Sequence, residues 1–196
     1  MVEIKVLVEG YAREENGREH ASSSVTLIKD SKLNILVDTG SNRKLLMEKL
    51  SEEGLTCEDI DYIIITHTHL DHCLLIGMFK NAKVLDSESI YESSGGIYEH
   101  NNRVPGTNIK IIATPGHTQA HCSVLVNTAE YGKVAVVADV FWWEDEAQEE
   151  INKKSLLKLK DPYADDKEEL NKSRRKVLEI ADYIVPGHGK MFKVNK

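Results

Sequence analysis

Apolar and polar residues alternate at the start of the chain, where Glu3 and Lys5 separate Val2, Ile4 and Val6. A period of two puts successive side chains on opposite faces of an extended chain. Residues 3–9 are therefore predicted to form a half-buried strand rather than a secretory leader. Short runs rich in Val and Ile, bounded by turn residues, predict eight more strands at 24–28, 34–38, 62–66, 83–85, 109–113, 122–127, 133–138 and 183–185. Apolar spacing nearer 3.6 predicts helices over 43–53, 71–79, 144–159 and 164–181, the last with a stripe of Leu170, Val177, Leu178 and Ala181. Ser41 or Asn42 suits the cap of the first helix and Asp71 that of the second, while Pro162 divides the last two. Residues 86–108 form a long polar segment, of the kind that becomes either a functional loop or a solvated excursion. Strands and helices together give an α/β (α+β) class. The early strands follow one another without helices between them, which fits poorly with a purely doubly wound sheet.

At 196 residues, 41% hydrophobic and 29% charged, the sequence suits one globular domain over 1–196. No apolar stretch reaches membrane-spanning length, so no membrane association is expected. Cys57, Cys73 and Cys122 are odd in number and lack CxxC spacing, which reads as reduced thiols in a cytoplasmic protein. A formal charge of −7 advertises no surface for nucleic acid, although two divalent cations would bring it to −3 and place positive charge in a site. Nucleic acid is thus a partner that charge does not favour. The expectation is a small-molecule substrate, with a homodimer as the candidate assembly.

One stretch departs from this ordinary composition. ITHTHLDHC, residues 65–73, packs His67, His69, Asp71 and His72 directly behind an apolar run, in a chain with eight histidines. Neutral imidazole and carboxylate are natural ligands of zinc and similar ions. More such groups recur where predicted strands end: Asp38 in VDTG, His117 in TPGHT, Asp139 after 133–138 and His188 in PGHG. Taken singly, Asp38 caps a turn or supports a ligand, Asp139 is a solvated strand end, and His117 and His188 are turn histidines. Taken together, His67, His69, Asp71, His72, His117, Asp139 and His188 make seven ligands, too many for one tetrahedral ion and enough for two with a shared ligand. His67 and His69, two apart in an extended segment, point to one face. Asp71 and His72 begin a helix that turns them toward a neighbouring position. Zinc is the first expectation, and manganese or iron accepts the same donors.

These residues resemble the signature of the metallo-β-lactamase superfamily. Its HxHxDH motif stands here as His67-Thr68-His69-Leu70-Asp71-His72, its later histidine as His117, its bridging aspartate as Asp139 and its final histidine as His188. The resemblance spans nearly the whole chain. It implies a four-layer αβ/βα sandwich with a di-metal site at one edge of two sheets. It also implies that one metal takes His67, His69 and His117, that the other takes Asp71, His72 and His188, and that Asp139 bridges them. Asp38 is then expected to support the ligands from behind, with Thr118 in the same supporting layer. Within the superfamily, HTHLDHCLLIGMF and SRRKVLEIADYIVPGHGKMF most resemble the metallo-β-lactamase-domain-containing protein 1 group, whose animal members are associated with RNA cleavage. Several departures bound the resemblance. Ala138 stands where a glycine usually precedes the bridging aspartate. The chain leaves no room for the helical substrate domain of glyoxalase II or the inserted domain of the mRNA-processing nucleases. Asp139 argues against true β-lactamase activity, and His69, in place of an acid, separates the chain from flavodiiron proteins.

Metal lowers the pKa of bound water from near 16 to about 7. The resemblance and the ligand count therefore imply a hydrolase that turns a hydroxide held by two metals on a small ester, thioester or phosphodiester. Asp71 is the candidate proton carrier after attack. His121 contacts substrate or supports a ligand, and Trp142 and Trp143 wall the pocket or pack into the core. Loop 86–108 and the segment after Asp139 are expected to frame the pocket. Lys172, Arg174, Arg175 and Lys176, diluted by Glu168, Glu169 and Glu179, read as a solvated helix face. Two alternatives are a metal-dependent ribonuclease and a mononuclear iron dioxygenase of the persulfide-oxidising kind, which would use His67, His69 and Asp139 around one metal.

Overall fold

The computed structural model of the chain describes residues 2–195. Its first half contains β1 (Val2–Val8), β2 (Tyr11–Glu15), β3 (Arg18–Ser22), β4 (Val25–Asp30), β5 (Leu33–Val37), α1 (Arg43–Glu52), β6 (Tyr62–Ile64), α2 (Leu70–Cys73), β7 (Lys83–Leu85), β8 (Ser89–Tyr91) and β9 (Ile97–Glu99). The second half adds β10 (Lys110–Ala113), β11 (Cys122–Thr128), β12 (Gly132–Ala138), α3 (Lys153–Leu156), α4 (Lys167–Ile180), β13 (Tyr183–Pro186) and β14 (Phe192–Lys193). One sheet has the order β1-β4-β5-β6-β7-β8-β9, another β10-β11-β12-β13-β14, and β2 and β3 form a separate hairpin.

Strand alternation explains why the sheets stack and why helices cover them. Ile35, Val37 and Ile64 point inward, toward Val124, Val134, Val136 and Val185 of the other sheet. Their neighbours Leu36 and Ile63 point outward, against Leu46 and Leu50 of α1. In the second sheet Ala135, Val137 and Ile184 face outward against Leu170, Val177 and Leu178 of α4. Three apolar layers thus lie between four layers of secondary structure, the αβ/βα sandwich. Pairing is parallel for β5–β6, β6–β7 and β12–β13, so the C-terminal ends of these strands gather at one rim of each sheet.

Some predicted elements take a different form. The helix expected over 144–159 shrinks to α3, capped by Asn152, whose side chain accepts from Ser155 N. Residues 144–150 carry acids four apart, Asp145 with Glu149 and Glu146 with Glu150, which repel on a helix. Asp145 and Gln148 bond instead to Ala12 and Lys190. The helix over 71–79 breaks into α2 and a single 3-10 turn at Ile76–Met78. α4 starts at Lys167 because the Asp166 side chain caps Glu168 and Glu169. Residues 86–108 supply β8 and β9 at a sheet edge and do not line the metal-site pocket. The basic run is only partly a solvated face: Arg174 is buried, and Lys176 donates to Ala113 O. Among the described residues no helix is long and apolar enough to cross a membrane.

Candidate metal centre

Five strand ends deliver the chemistry. β5 runs into Asp38, β6 into the 67–72 segment, β10 into the turn that holds His117, β12 into Asp139 and β13 into His188. Two backbone devices aim them. Asp38 and Ala138 have φ of 57° and 43°, sparsely populated for residues with a Cβ, so the chain turns sharply at both places. The β12–β13 register also shifts between Val136 and Ala138, which redirects the residue that follows. Gly187 then lets the 186–189 turn approach: a Cβ there would lie 1.8 Å from Asp139 Oδ1.

The side chains fall into two groups, His67, His69, His117 and Asp139 in one, Asp71, His72 and His188 in the other. In the first, Asp139 Oδ2 lies 3.3 Å from His117 Nε2 and 3.7 Å from His67 Nε2. His69 Nδ1 is 3.1 Å from His117 Nε2. In the second, His188 Nε2 and His72 Nε2 lie 3.1 and 3.7 Å from Asp71 Oδ2. Asp139 Oδ1 faces this group, 3.3 Å from His72 Nε2 and 3.8 Å from His188 Nε2. One carboxylate thus turns an oxygen to each group.

The far ring nitrogens are held from behind. His72 Nδ1 meets Asp38 Oδ2 at 2.8 Å, and Asp38 also accepts from Thr66 N and Oγ1. His117 Nδ1 meets Asp161 Oδ2 at 2.7 Å. His188 Nδ1 donates to the Tyr11 carbonyl at 2.9 Å, and His67 Nδ1 lies 3.1 Å from Thr66 Oγ1. A carbonyl only accepts, so His188 Nδ1 carries a proton and Nε2 is the nitrogen turned toward the site. This is the arrangement that orients metal-binding imidazoles.

The donor set fits divalent cations. His67 Nε2, His72 Nε2 and Asp139 Oδ1 are buried and make no hydrogen bond among the described residues. Three converging polar atoms left in that state would each cost about 1–3 kcal/mol, a penalty that coordination removes. Burial and the neighbouring His72 push the His67 imidazole far down, and burial with His117 lowers His69, so both stay neutral donors. Asp139 is held well below the usual carboxylate range: burial opposes its charge, and His72, His188 and His67 outweigh burial. His72, also resisted by burial, is driven up by Asp139 and Asp38. The cluster therefore calls for positive charge between its carboxylates.

The centre opens into a pocket of about 550 Å³, which reaches His69, Asp71, His117, Asp139 and His188. The β2–β3 hairpin forms one wall with Arg13, Glu14, Glu19 and His20, and Trp142 and Tyr163 form the other. The two expected tryptophans part company. Trp142 lines the pocket, 6.1 Å from the His188 ring, whereas Trp143 is 6% exposed and packs on Phe141 and Phe192 in the core. His121 is enclosed behind the site, its ring 5.0 Å from His67 and its Nδ1 on Thr114 Oγ1, and does not reach the pocket. Thr118 offers no side-chain bond to a ligand; its carbonyl accepts from Gly116 N. Thr66 and Asp161 fill the supporting role instead.

Sequence reading passed over both Asp161 and the hairpin. Asp161 lies 44 positions from His117, and spacing carries no signal for it. The hairpin did carry one. Asn16 and Gly17 have φ of 54° and 71°, as a two-residue type I′ turn requires, and Asn-Gly is its commonest sequence.

A family model described as the metallo-beta-lactamase superfamily matches residues 19–93. The chain is 34% identical over 203 residues to Metallo-beta-lactamase domain-containing protein 1 of Xenopus laevis, across 98% of this chain and 82% of that protein. It spans 61% of the length of the mouse protein of the same name, at 35% identity over 82% of this chain. A protein named as a probable metallo-hydrolase from Methanocaldococcus jannaschii is 33% identical, across 94% of this chain and 86% of that one. The crystal structure of a candidate metallo-beta-lactamase from Thermotoga maritima superposes with a TM-score of 0.73 at 22% identity, covering 98% of this chain and 99% of the other.

Proposed function

Because the chain belongs to the metallo-β-lactamase superfamily, we propose that it is a cytoplasmic di-metal hydrolase, most readily with zinc, acting on a small ester, thioester or phosphodiester. The observation that carries this reading is Asp139, whose two oxygens face two separate groups of imidazole donors. His67, His69 and His117 would hold one ion and Asp71, His72 and His188 the other, with Asp139 shared. When bound, such ions supply Lewis acidity and lower the pKa of coordinated water to about 7.

The remaining work falls to the chain itself. Asp38, Asp161 and the Tyr11 carbonyl fix the imidazole planes, so the donors need no reordering when substrate arrives. The Asp71 side chain is 25% exposed, lines the pocket and has its pKa lowered: burial resists its charge, and His188 and His72 prevail. Its carboxylate is therefore ionised and placed to take a proton from the attacking nucleophile and pass it to the leaving group. Trp142 and Tyr163, their rings 5.7 Å apart, wall the side of the pocket opposite the hairpin. A mononuclear dioxygenase would need only the first donor group, and the complete second group favours the hydrolase.

Elemental analysis of protein loaded with metal should give about two ions per chain. Asp71→Ala and His72→Ala should each retain about one, and Asp139→Ala should lose most of both while its far-UV circular dichroism is preserved. A single ion per fully loaded chain, unaffected by Asp71→Ala or His72→Ala, would defeat the di-metal reading.

A further inference from the structure

The acidic balance of the chain is not spread evenly over its surface. Next to the metal-centre pocket, and sharing Trp142 with it, lies a cleft of about 920 Å³ between the segment after Asp139 and α4. Lys158, Lys160, Lys167 and Arg174 line it, against the acids Glu144 and Asp161. Asp161 is already engaged with His117 at 2.7 Å. The lysines with carboxylate partners are Lys5, Lys29, Lys49, Lys83 and Lys172. Among the described residues, then, Lys158, Lys160 and Lys167 have none. On the same lining Arg174 is 4% exposed and fixed, with Nε donating to Val140 O at 2.9 Å and Nη1 to Leu159 O. Its Nη2 is buried without a partner. Exposed Lys158, Lys160 and Lys167 thus line the same cleft as a locked guanidinium, in a protein whose formal charge is −7.

The cleft adjoins the chemistry. Trp142 and Glu144 line both it and the metal-centre pocket. Asp161 forms part of the cleft while it holds His117. The two cavities are therefore neighbours, with Trp142 and Glu144 common to both. The opposite wall of the pocket mixes Arg13 and His20 with Glu14 and Glu19, and Arg13 is paired with Asp145, so among the described residues that side offers no comparable group of unpaired lysines. The volume suits a small-molecule arm.

We propose that this cleft is the subsite for an anionic, phosphate-bearing arm of the substrate, held by Lys158, Lys160 and Lys167 and reached across Trp142 from the metal centre. The assignment rests on the hydrolase reading and names the substrate class for it. A cleft whose cations outnumber its acids, in a chain of net negative charge, selects for such an arm and orients it, as charge patterns in clefts do.

The test uses two esters with the same scissile group, one ending in a phosphate and the other in a hydroxyl, on metal-loaded wild-type protein and on the triple variant Lys158→Ala/Lys160→Ala/Lys167→Ala. The wild type should prefer the phosphate-bearing ester by about tenfold or more in kcat/KM, expressed in KM, and should lose that preference as salt rises. In the triple variant the ratio should fall to about one. Inorganic pyrophosphate should compete with the phosphate-bearing ester in the wild type and bind more weakly to the variant by calorimetry. Equal kcat/KM for the two esters in the wild type, an unchanged preference in the variant, or stimulation by pyrophosphate without competition would each overturn the subsite. If neither ester is turned over, ester hydrolysis fails as the reading of the centre, and pyrophosphate binding by wild type against variant still judges the cleft.

Discussion

Asp161 shows how one buried carboxylate controls a ligand it never replaces. It is 5% exposed, accepts from Tyr163 N at 3.0 Å and holds His117 Nδ1 at 2.7 Å. Partners of this kind typically change metal affinity by 10–100-fold. Asp161→Asn should weaken metal binding by roughly tenfold and Asp161→Ala by up to about a hundredfold, read by chelator competition; unchanged competition in Asp161→Ala would remove the residue from the site. His121 makes a second prediction. Burial pushes its pKa down to about 3, from an ordinary value of 6.5. Between those values the unfolded chain holds a proton that the folded chain refuses. Its contribution to stability is therefore complete above pH 6.5 and is lost as pH falls toward 3, at up to about 1.4 kcal/mol per pH unit. Denaturant unfolding of metal-free protein should show a slope shallower by about one proton in His121→Asn.

At the scale of elements, the β2–β3 hairpin is the piece that walls the metal-centre pocket without belonging to either large sheet. It is fastened at its base rather than along its length. Ala12 N donates to Asp145 Oδ1 at 3.1 Å, Asp145 N donates to Ala12 O at 2.8 Å, and Arg13 pairs with Asp145 at 3.3 Å. The Tyr11 carbonyl meanwhile orients His188. Asp145→Ala removes the two side-chain links and leaves the backbone one. The expected result is a several-fold rise in KM with little change in kcat, and a melting temperature within a few degrees of wild type, since exposed ion pairs contribute roughly 0–1 kcal/mol. An equal fall in kcat and kcat/KM would mean that the hairpin positions the reacting groups and not the substrate. The same contacts explain why 144–159 is not a helix: residues committed to the hairpin and to Lys190 cannot also form helical turns.

At the scale of the whole molecule, the centre sits at the rim where two sheets converge, so metal binding ties both halves of the sandwich together. β6 belongs to one sheet and β10, β12 and β13 to the other, and the segment after each supplies donors to the cluster. Ligands that bind only the folded state stabilise it by about 4 kcal/mol at a thousandfold excess over Kd. For a chain of this length that is on the order of 10 °C in melting temperature. Chelation should lower the thermal midpoint by about that amount, and restored zinc should recover it. A midpoint indifferent to chelation would mean that the cluster does not bind metal in the folded protein.

Strand alternation, a property local to the sequence, determined the sheets: Ile35 and Val37 against Leu36 place one face on the other sheet and one on α1. The density of His and Asp over 67–72, and the acids and imidazoles at strand ends, marked the donors, because parallel strand ends necessarily meet at one rim. Tertiary structure alone decided which groups stand behind those donors. Asp161 and the Tyr11 carbonyl reach the site across 44 and 177 positions, and nothing in local spacing records such pairings. It likewise separated Trp142 from Trp143, adjacent in sequence, by which side of a turn faces the core. It also buried Arg174 while bringing Lys158, Lys160 and Lys167 to the same cleft. Periodicity is a short-range consequence of backbone geometry and can be read along the chain, whereas charge partners and enclosure depend on which distant segments the folded core brings together.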